Sequence, residues 1–141
     1  MFQRILAATD FSQGAEAAWR LAGELAATYR AELLLLHVFM EMPRYRFVEL
    51  ADLQRIYEEQ RQWIQRTLEE RAKEAAGRGI TVRTLIQTGE PAETIAETAR
   101  AEQADVVVIG AHGERGLTRL LVGNVAERVV KLSPCPVLLA K

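Results

Sequence analysis

Three glycines and one asparagine form the pattern in this sequence that is best suited to chemistry. Gly110 and Gly113 are separated by two residues, Gly123 follows after nine more, and Asn124 comes next. Glycine lets backbone N–H groups approach an anion closely, and the N-terminus of a following helix favours negative charge. Asn124 is a good N-cap residue and is expected to cap that helix. Since the apolar run 106–109 precedes these residues, the pattern predicts a strand, a glycine-rich loop and a helix start that together hold phosphate.

A second polar segment, residues 8–12, follows the apolar run 4–8 near the N-terminus. It contains Thr9, Asp10 and Ser12, and Ser12 is a good N-cap for a helix. In open α/β sheets the ligand crevice lies beyond the carboxyl ends of the strands, where the strand order reverses. If the two strands are neighbours, the two loops face each other there. Asp10 then either contacts the ligand or simply turns the chain and caps the first helix.

Strands and helices alternate strictly along the whole chain. Apolar runs predict strands at 4–8, 31–38, 80–87, 105–110 and 134–139, and helical spacing predicts helices from the Ser12 cap to Tyr29 and at 50–78, 91–102 and 124–132. The run 31–38 is continuously apolar, as in a strand covered on both faces, whereas 80–87 alternates as an edge strand does. Residues 39–48 are predicted to be a loop. The alternation predicts an α/β fold, an open five-stranded parallel sheet with helices on both faces.

Size and composition restrict the class of protein. A chain of 141 residues with 49% hydrophobic residues is expected to form a single domain, 1–141. The formal net charge of -1 argues against nucleic acid and anionic membranes as partners. Cys135 is the only cysteine, so it forms no internal disulfide and is expected to be structural. The N-terminus lacks the pattern of a signal peptide, and we expect a cytoplasmic protein.

Other candidate residues have an ordinary structural interpretation beside the functional one. His37 lies in an apolar strand and is expected to be a hydrogen-bonded core histidine, whereas His112 is expected to be exposed to solvent. Arg115 either neutralises phosphate or is an ordinary loop arginine. Trp19 and Trp63 are expected to be packing residues. Neither Gly-x-x-x-x-Gly-Lys-Ser/Thr nor Gly-x-Gly-x-x-Gly follows the first strand, which argues against a P-loop nucleotidase and a dinucleotide-binding fold.

The spacing Gly110-x2-Gly113-x9-Gly123 followed by a small polar residue resembles that of the universal stress protein family. The flanking segments 106–113, 125–130 and 133–139 are similar to it as well, as are the opening segment 5–12 and the second-strand ending 36–38. The resemblance implies a Rossmann-like sheet in the order 3-2-1-4-5, usually in a homodimer, and similarity to the ATP-binding members.

The resemblance also implies which residues contact an adenine nucleotide. Thr9 and Asp10 would line the adenosine side, and Val38 would offer a backbone contact to adenine. Ile109 and Gly110 would flank the ribose. The implied nucleotide-binding set is Ala8, Thr9, Asp10, Val38, Ile109, Gly110, Gly113, Arg115, Gly123, Asn124 and Val125, with the phosphates held by Gly113, Gly123, Asn124 and Val125. Asp10 would also help to hold a divalent cation, Mg²⁺, together with the phosphates.

Asn124 departs from the family pattern, which has Ser or Thr after the last glycine. Backbone contacts at Asn124 and Val125 would persist, but the rotatable hydroxyl is lost, so ADP or AMP would compete better with ATP. We therefore expect a stress-response protein that binds an adenine nucleotide and acts as a nucleotide-dependent switch or interaction module. The alternatives are a slow ATP hydrolase using Asp10 or His112 to orient water, although no catalytic constellation is evident, and a structural dimer without nucleotide binding.

The last apolar strand predicts how two copies associate. In the implied strand order, the segment Pro136–Ala140 lies at an edge of the sheet, where unpaired backbone groups invite pairing with another chain. Pairing with the same strand of a second copy would cover this edge, and we expect a homodimer.

Overall fold

The computed structural model describes residues 1–40, 49–112 and 122–141, in which five strands alternate with four helices. The elements are β1 (Arg4–Ala8), α1 (Gln13–Tyr29), β2 (Glu32–Phe39), α2 (Leu50–Ala76), β3 (Val82–Thr88), α3 (Pro91–Ala101), β4 (Val106–Gly110), α4 (Asn124–Leu132) and β5 (Val137–Ala140). In these ranges, no helix combines the length and the apolar character that a membrane span requires.

All five strands form one parallel sheet in the order β3-β2-β1-β4-β5. The predicted open α/β sheet and the implied strand order are both confirmed, and β3 is an edge strand as its alternating pattern predicted. The strand order reverses beside β1, because β2 and β3 extend from one side of it and β4 and β5 from the other. The fold is Rossmann-like, with a switch point between β1 and β4.

Two cores cover the two faces of the sheet, which explains the continuous apolar run in β2. Leu33 and Leu35 point into the core beneath α1 and α2, whereas Leu34 and Leu36 point into the core beneath α3 and α4. All four leucines are at most 1% exposed. Successive side chains of a strand point to opposite faces, so a strand between two helical layers has no polar face.

Several predicted boundaries differ from those observed. Phe39 ends β2, whereas the sequence predicted a loop over 39–48, and residues 41–48 of that prediction lie outside the described residues. Helix α2 ends at Ala76 with Gly77 as its C-cap, and the Ile80 N–H bonds to the Ala75 carbonyl at 3.0 Å, so β3 begins later than predicted. β5 begins at Val137 rather than at residue 134, because a proline has no N–H to donate to the ladder.

Side chains cap two of the helices that start at the carboxyl edge of the sheet. The Ser12 hydroxyl accepts a hydrogen bond from the Ala15 N–H at 3.2 Å, which confirms Ser12 as the N-cap of α1. Glu90 caps α3 by accepting from the N–H groups of Ala92 and Glu93. Pro91 occupies the first turn of α3, where a missing N–H is tolerated.

Candidate functional site

The carboxyl ends of β1 and β4 lie side by side at the switch point. Ala7 of β1 is level with Val108 of β4 in the parallel register. The chain that leaves β1 at Ala8 therefore lies beside the chain that leaves β4 at Gly110. Both segments singled out in the sequence therefore begin at the same edge of the sheet, where ligands of this fold class bind.

The loop after β1 is a tight turn stabilised by its own side chains. The Thr9 hydroxyl accepts a hydrogen bond from the Phe11 N–H, and the Asp10 carboxylate accepts one from the Ser12 N–H, both at 3.0 Å. Phe11 has a φ of 63°, a left-handed conformation that is uncommon for a bulky residue. Asp10 thus does turn the chain, as the structural alternative predicted, and its side chain is nevertheless exposed at the edge of the sheet.

Two glycines bring the start of α1 against the end of β4. A Cβ atom at Gly110 would lie 2.6 Å from the carbonyl carbon of Gly14. A Cβ atom at Gly14 would lie 2.1 Å from the carbonyl oxygen of His112. Neither distance leaves room for a side chain without a backbone shift. Gly14 was not identified from the sequence, although a glycine in the first turn of a helix, where it is unfavourable, is a signal of close packing.

The start of α4 is fixed to the end of β4 through backbone atoms. The Gly123 N–H donates to the Ala111 carbonyl at 2.7 Å, and the Glu127 N–H closes the first turn on the Gly123 carbonyl at 2.9 Å. Gly123 is therefore the N-cap, and the expectation that Asn124 caps this helix is wrong, since Asn124 is its first residue.

No side chain of the N-cap accepts a hydrogen bond from the first turn of α4, because Gly123 has no side chain. The N–H groups of residues 124–126 precede the first intrahelical bond, as at the start of any helix. Asn124 and Val125 are exposed. This helix start is thus able to donate backbone hydrogen bonds to an anion. Capping side chains already accept from the Ala15 N–H in α1 and from the Ala92 and Glu93 N–H groups in α3.

The remaining predicted contact residues differ in accessibility. Ala8 and Val38 are partly buried and pack against the core beneath α3 and α4. Ile109 is 4% exposed, so a ligand would reach its backbone rather than its side chain. Gly113 and Arg115 lie outside the described residues.

His112 is more enclosed than the sequence suggested. Its Nδ1 is buried and has no hydrogen-bond partner among the described residues. The expectation of a solvent-exposed ring is therefore wrong for this atom, and the residue as a whole is partly buried. Trp63 is 51% exposed, but one side of it packs edge-on against Phe11.

The side chains of the described residues do not form a metal site on their own. In the described ranges, no three His, Cys, Asp or Glu side chains converge. Asp10 provides a carboxylate at the switch point, so a cation there would require further oxygen ligands from a bound phosphate compound.

A cleft with a volume of about 460 Å³ lies at the amino end of the sheet, opposite the switch point. Its lining residues are Gln3, Arg4, Glu32, Gln103 and Asp105. The Asp105 carboxylate accepts hydrogen bonds from the N–H groups of Gln3 and Arg4, at 2.7 and 2.8 Å. These two bonds hold the pKa of Asp105 below its usual value. Since this polar lining is engaged within the protein, cleft volume is a poor guide to the binding site here.

Comparison with known proteins identifies similar chains. The sequence profile described as the universal stress protein family matches residues 1–141. Universal stress protein MJ0577 of Methanocaldococcus jannaschii is 32% identical over 155 residues, which covers 100% of this chain and 96% of that protein. The crystal structure of MJ0577 superposes with a TM-score of 0.85 at 31% identity, covering 100% of this chain and 96% of that chain.

Two further solved structures share the fold. Universal stress protein UspA from Lactobacillus plantarum has a TM-score of 0.88 at 25% identity and covers 99% of this chain and 98% of its own. A universal stress protein solved in complex with cAMP has a TM-score of 0.69 at 26% identity, covering 99% of this chain and 97% of its own.

Proposed function

This chain belongs to the universal stress protein family, and from that premise we propose that it binds an adenine nucleotide, with ATP favoured, at the carboxyl edge of its sheet. In this role it acts as a cytoplasmic, nucleotide-dependent switch or interaction module, with residues 1–141 as a single domain. A family member similar in fold to this chain was solved in complex with cAMP, itself an adenine nucleotide.

The proposal rests on one observation: a carboxylate and a helix start with free N–H groups both lie at the switch point. The exposed Asp10 carboxylate follows β1, and the start of α4, which has no side-chain cap, follows β4. A carboxylate suits ribose hydroxyls or a phosphate-bound cation, and free backbone N–H groups suit phosphate oxygens. A nucleotide offers both kinds of group in one molecule.

The proposed roles are those that the resemblance to the family implies. Thr9 and Asp10 contact the adenosine side, and the backbone of Val38 at the end of β2 contacts adenine. Ile109 and Gly110 flank the ribose through backbone atoms. The phosphates lie against Gly123, Asn124 and Val125, and the resemblance adds Gly113 and Arg115 to that end. Mg²⁺, where present, is held by phosphate oxygens together with Asp10.

The number of phosphate groups that the site holds depends on Asn124. The backbone N–H groups of residues 124 and 125 are available whatever the side chain, so one phosphate group is held in any case. A Ser or Thr at this position would add a hydroxyl, whereas the Asn amide is longer and less adaptable. ADP and AMP therefore compete with ATP more closely than in members with the hydroxyl.

We also propose that two copies associate through β5. This strand pairs with β4 on one side, and Leu138 is 38% exposed. Pairing the segment Pro136–Ala140 with its counterpart would cover this apolar edge. Light scattering at micromolar protein should give the mass of a dimer, and a monomer under these conditions would remove the idea.

Calorimetric titration tests the nucleotide proposal. The protein is titrated with ATP, ADP and AMP, each with and without Mg²⁺, and with GTP as the control for the base. Heat of binding and a raised melting temperature are expected for the adenine nucleotides, since a ligand that binds only the folded state stabilises it. Absence of both signals at millimolar ligand would refute nucleotide binding and favour the purely structural dimer.

A further inference from the structure

We propose that His37 is a positioning residue for the loop of residues 9–12, which it holds in place from the neighbouring strand. This inference rests on the proposed function, because the loop contains Thr9 and Asp10 of the candidate nucleotide site. His37 lies in β2, next to Val38, and its ring points to the opposite face of the sheet from Val38.

His37 contacts the loop at two places. Its Nδ1 lies 2.8 Å from the Thr9 carbonyl oxygen, in a hydrogen bond from β2 to the first residue after β1. Its ring also stacks on Phe11, with centroids 4.9 Å apart and an interplanar angle of 28°. One side chain thus fixes both the beginning and the middle of the turn.

The hydrogen bond determines the tautomer of the ring. A carbonyl oxygen only accepts, so Nδ1 must carry the proton and donate it. Burial lowers the pKa of His37, and this effect outweighs the opposing effects of the Thr9 bond and of the nearby Asp10 carboxylate. The ring is therefore neutral at pH 7, with its single N–H committed to Thr9.

The backbone holds only the two ends of the loop, because the Thr9 N–H donates to the Leu36 carbonyl at 2.8 Å and Ser12 begins α1. The middle of the loop has only local hydrogen bonds. The hydrogen bonds accepted by the side chains of Thr9 and Asp10 span only two residues each. Phe11 adopts a left-handed conformation, which a bulky residue keeps only where its surroundings enforce it. Phe11 is held between the face of His37 and Trp63 of α2, whose ring centroid is 5.0 Å away.

The contacts of His37 order this loop before the nucleotide binds. A loop already fixed in its bound conformation loses less conformational freedom when the ligand arrives, and affinity rises accordingly. His37 acts in this way through Thr9 and Phe11, without touching the ligand.

Two replacements of His37 separate the hydrogen bond from the stacking contact. His37→Phe keeps an aromatic ring but removes the donor, whereas His37→Asn keeps a nitrogen donor near the position of Nδ1 but removes the ring. Ile86→Val is the matched control, because Ile86 is level with His37 on β3 and packs against the same core without being part of the loop. Unfolding midpoints of all variants show that each is folded.

Two measurements are made on the full chain. NMR amide exchange of Phe11 and Ser12 reports on the loop without ligand, and calorimetry gives the Kd for ATP. We expect His37→Phe to accelerate both exchange rates and to weaken ATP binding roughly fivefold to tenfold, the effect of one hydrogen bond. His37→Asn should recover most of both, and Ile86→Val should change neither. Nitrogen chemical shifts of the wild-type ring should show the proton on Nδ1.

The inference and the proposed function fail in different ways. Wild-type protein that binds no adenine nucleotide would refute the proposed function. The amide exchange rates, which are measured without ligand, would still test the role of His37 in the loop. Exchange rates and affinity in His37→Phe equal to those of the wild type would overturn the inference while leaving nucleotide binding intact.

Discussion

The two ends of the sheet differ in how their polar groups are used. At the amino end, Asp105 bonds to the backbone of β1, and Arg83 forms ion pairs with Glu32 and Glu102. At the carboxyl end, the exposed Asp10 and the start of α4 retain capacity for further hydrogen bonds. A cleft of about 460 Å³ lies at the amino end, whereas the groups with hydrogen-bonding capacity for a ligand lie at the carboxyl end.

This difference predicts that the polar groups at the amino end contribute to the stability of the fold and those at the carboxyl end to ligand binding. Polar groups that pair within the protein stabilise the fold and have little left to offer a ligand. Backbone N–H groups at a helix start remain available to an anion, and the free-energy cost of removing their water is small. Substitutions at the amino end should therefore change the free energy of unfolding, and substitutions at the carboxyl end should change nucleotide affinity.

Gly110→Ala should have the largest effect on binding. The added Cβ would lie 2.6 Å from the carbonyl carbon of Gly14, so either the start of α1 or the loop after β4 must move. A shift of either loop disturbs the switch point, and we expect ATP affinity to fall at least roughly tenfold, with a destabilisation of about 1–3 kcal/mol from overpacking. Calorimetry and urea unfolding measure the two effects.

Gly77→Ala is the matched control for Gly110→Ala. Gly77 has a φ of -61°, and a Cβ there would meet its nearest neighbour, the Glu74 carbonyl oxygen, at 3.4 Å. Alanine is compatible with this conformation, so stability should be unchanged or slightly higher. If Gly110→Ala bound ATP as well as Gly77→Ala, close packing at the switch point would not matter for the site.

Asp105→Asn tests the amino end and should leave ATP affinity unchanged. At pH 7 the variant should be less stable by about 1 kcal/mol, because hydrogen bonds to a charged acceptor are stronger than those to a neutral one. Urea unfolding at several pH values measures this difference.

The pH dependence of this difference has a definite sign. The pKa of Asp105 is lower in the folded protein than its usual value, with the backbone bonds as the main cause. Such a carboxylate contributes stability above its unfolded pKa, about 3.9, and loses it as the pH falls through the lower folded value. The wild type and Asp105→Asn should therefore converge in acid. A constant difference from pH 7 to the acid limit would contradict this role for the charge.

The sequence predicted the scaffold better than the details of the site. Continuous apolar runs and helical spacing identify the elements, because burial on both faces of a parallel sheet leaves a strong pattern. The meeting of the loops after β1 and β4 follows from strand order, which the resemblance supplied. The contact of Gly14 with Gly110 and the bond of His37 to Thr9 join residues far apart in the chain, and no local pattern encodes them.

The error at Asn124 has a physical explanation. Asparagine is a preferred N-cap residue, so local propensity placed the cap there. In the fold, the hydrogen bond from the Gly123 N–H to the Ala111 carbonyl fixes Gly123 one position earlier as the cap. A tertiary contact thus overrides the local preference, and the side chain of Asn124 is left free for another role.

Asn124→Ser should have the smallest effect and should change selectivity more than affinity. The variant restores the hydroxyl of the family pattern on the first residue of α4, while the backbone N–H groups stay in place. One added hydrogen bond to the outer phosphates should raise the ATP-to-AMP affinity ratio by roughly threefold to tenfold. Asn124→Ala, which lacks a polar side chain, is the control and should bind AMP as the wild type does. An ATP-to-AMP affinity ratio that is the same in all three proteins would mean that the backbone alone holds the phosphates. The hydrogen-bonding capacity that distinguishes the carboxyl end of the sheet from the amino end would then come from main-chain groups.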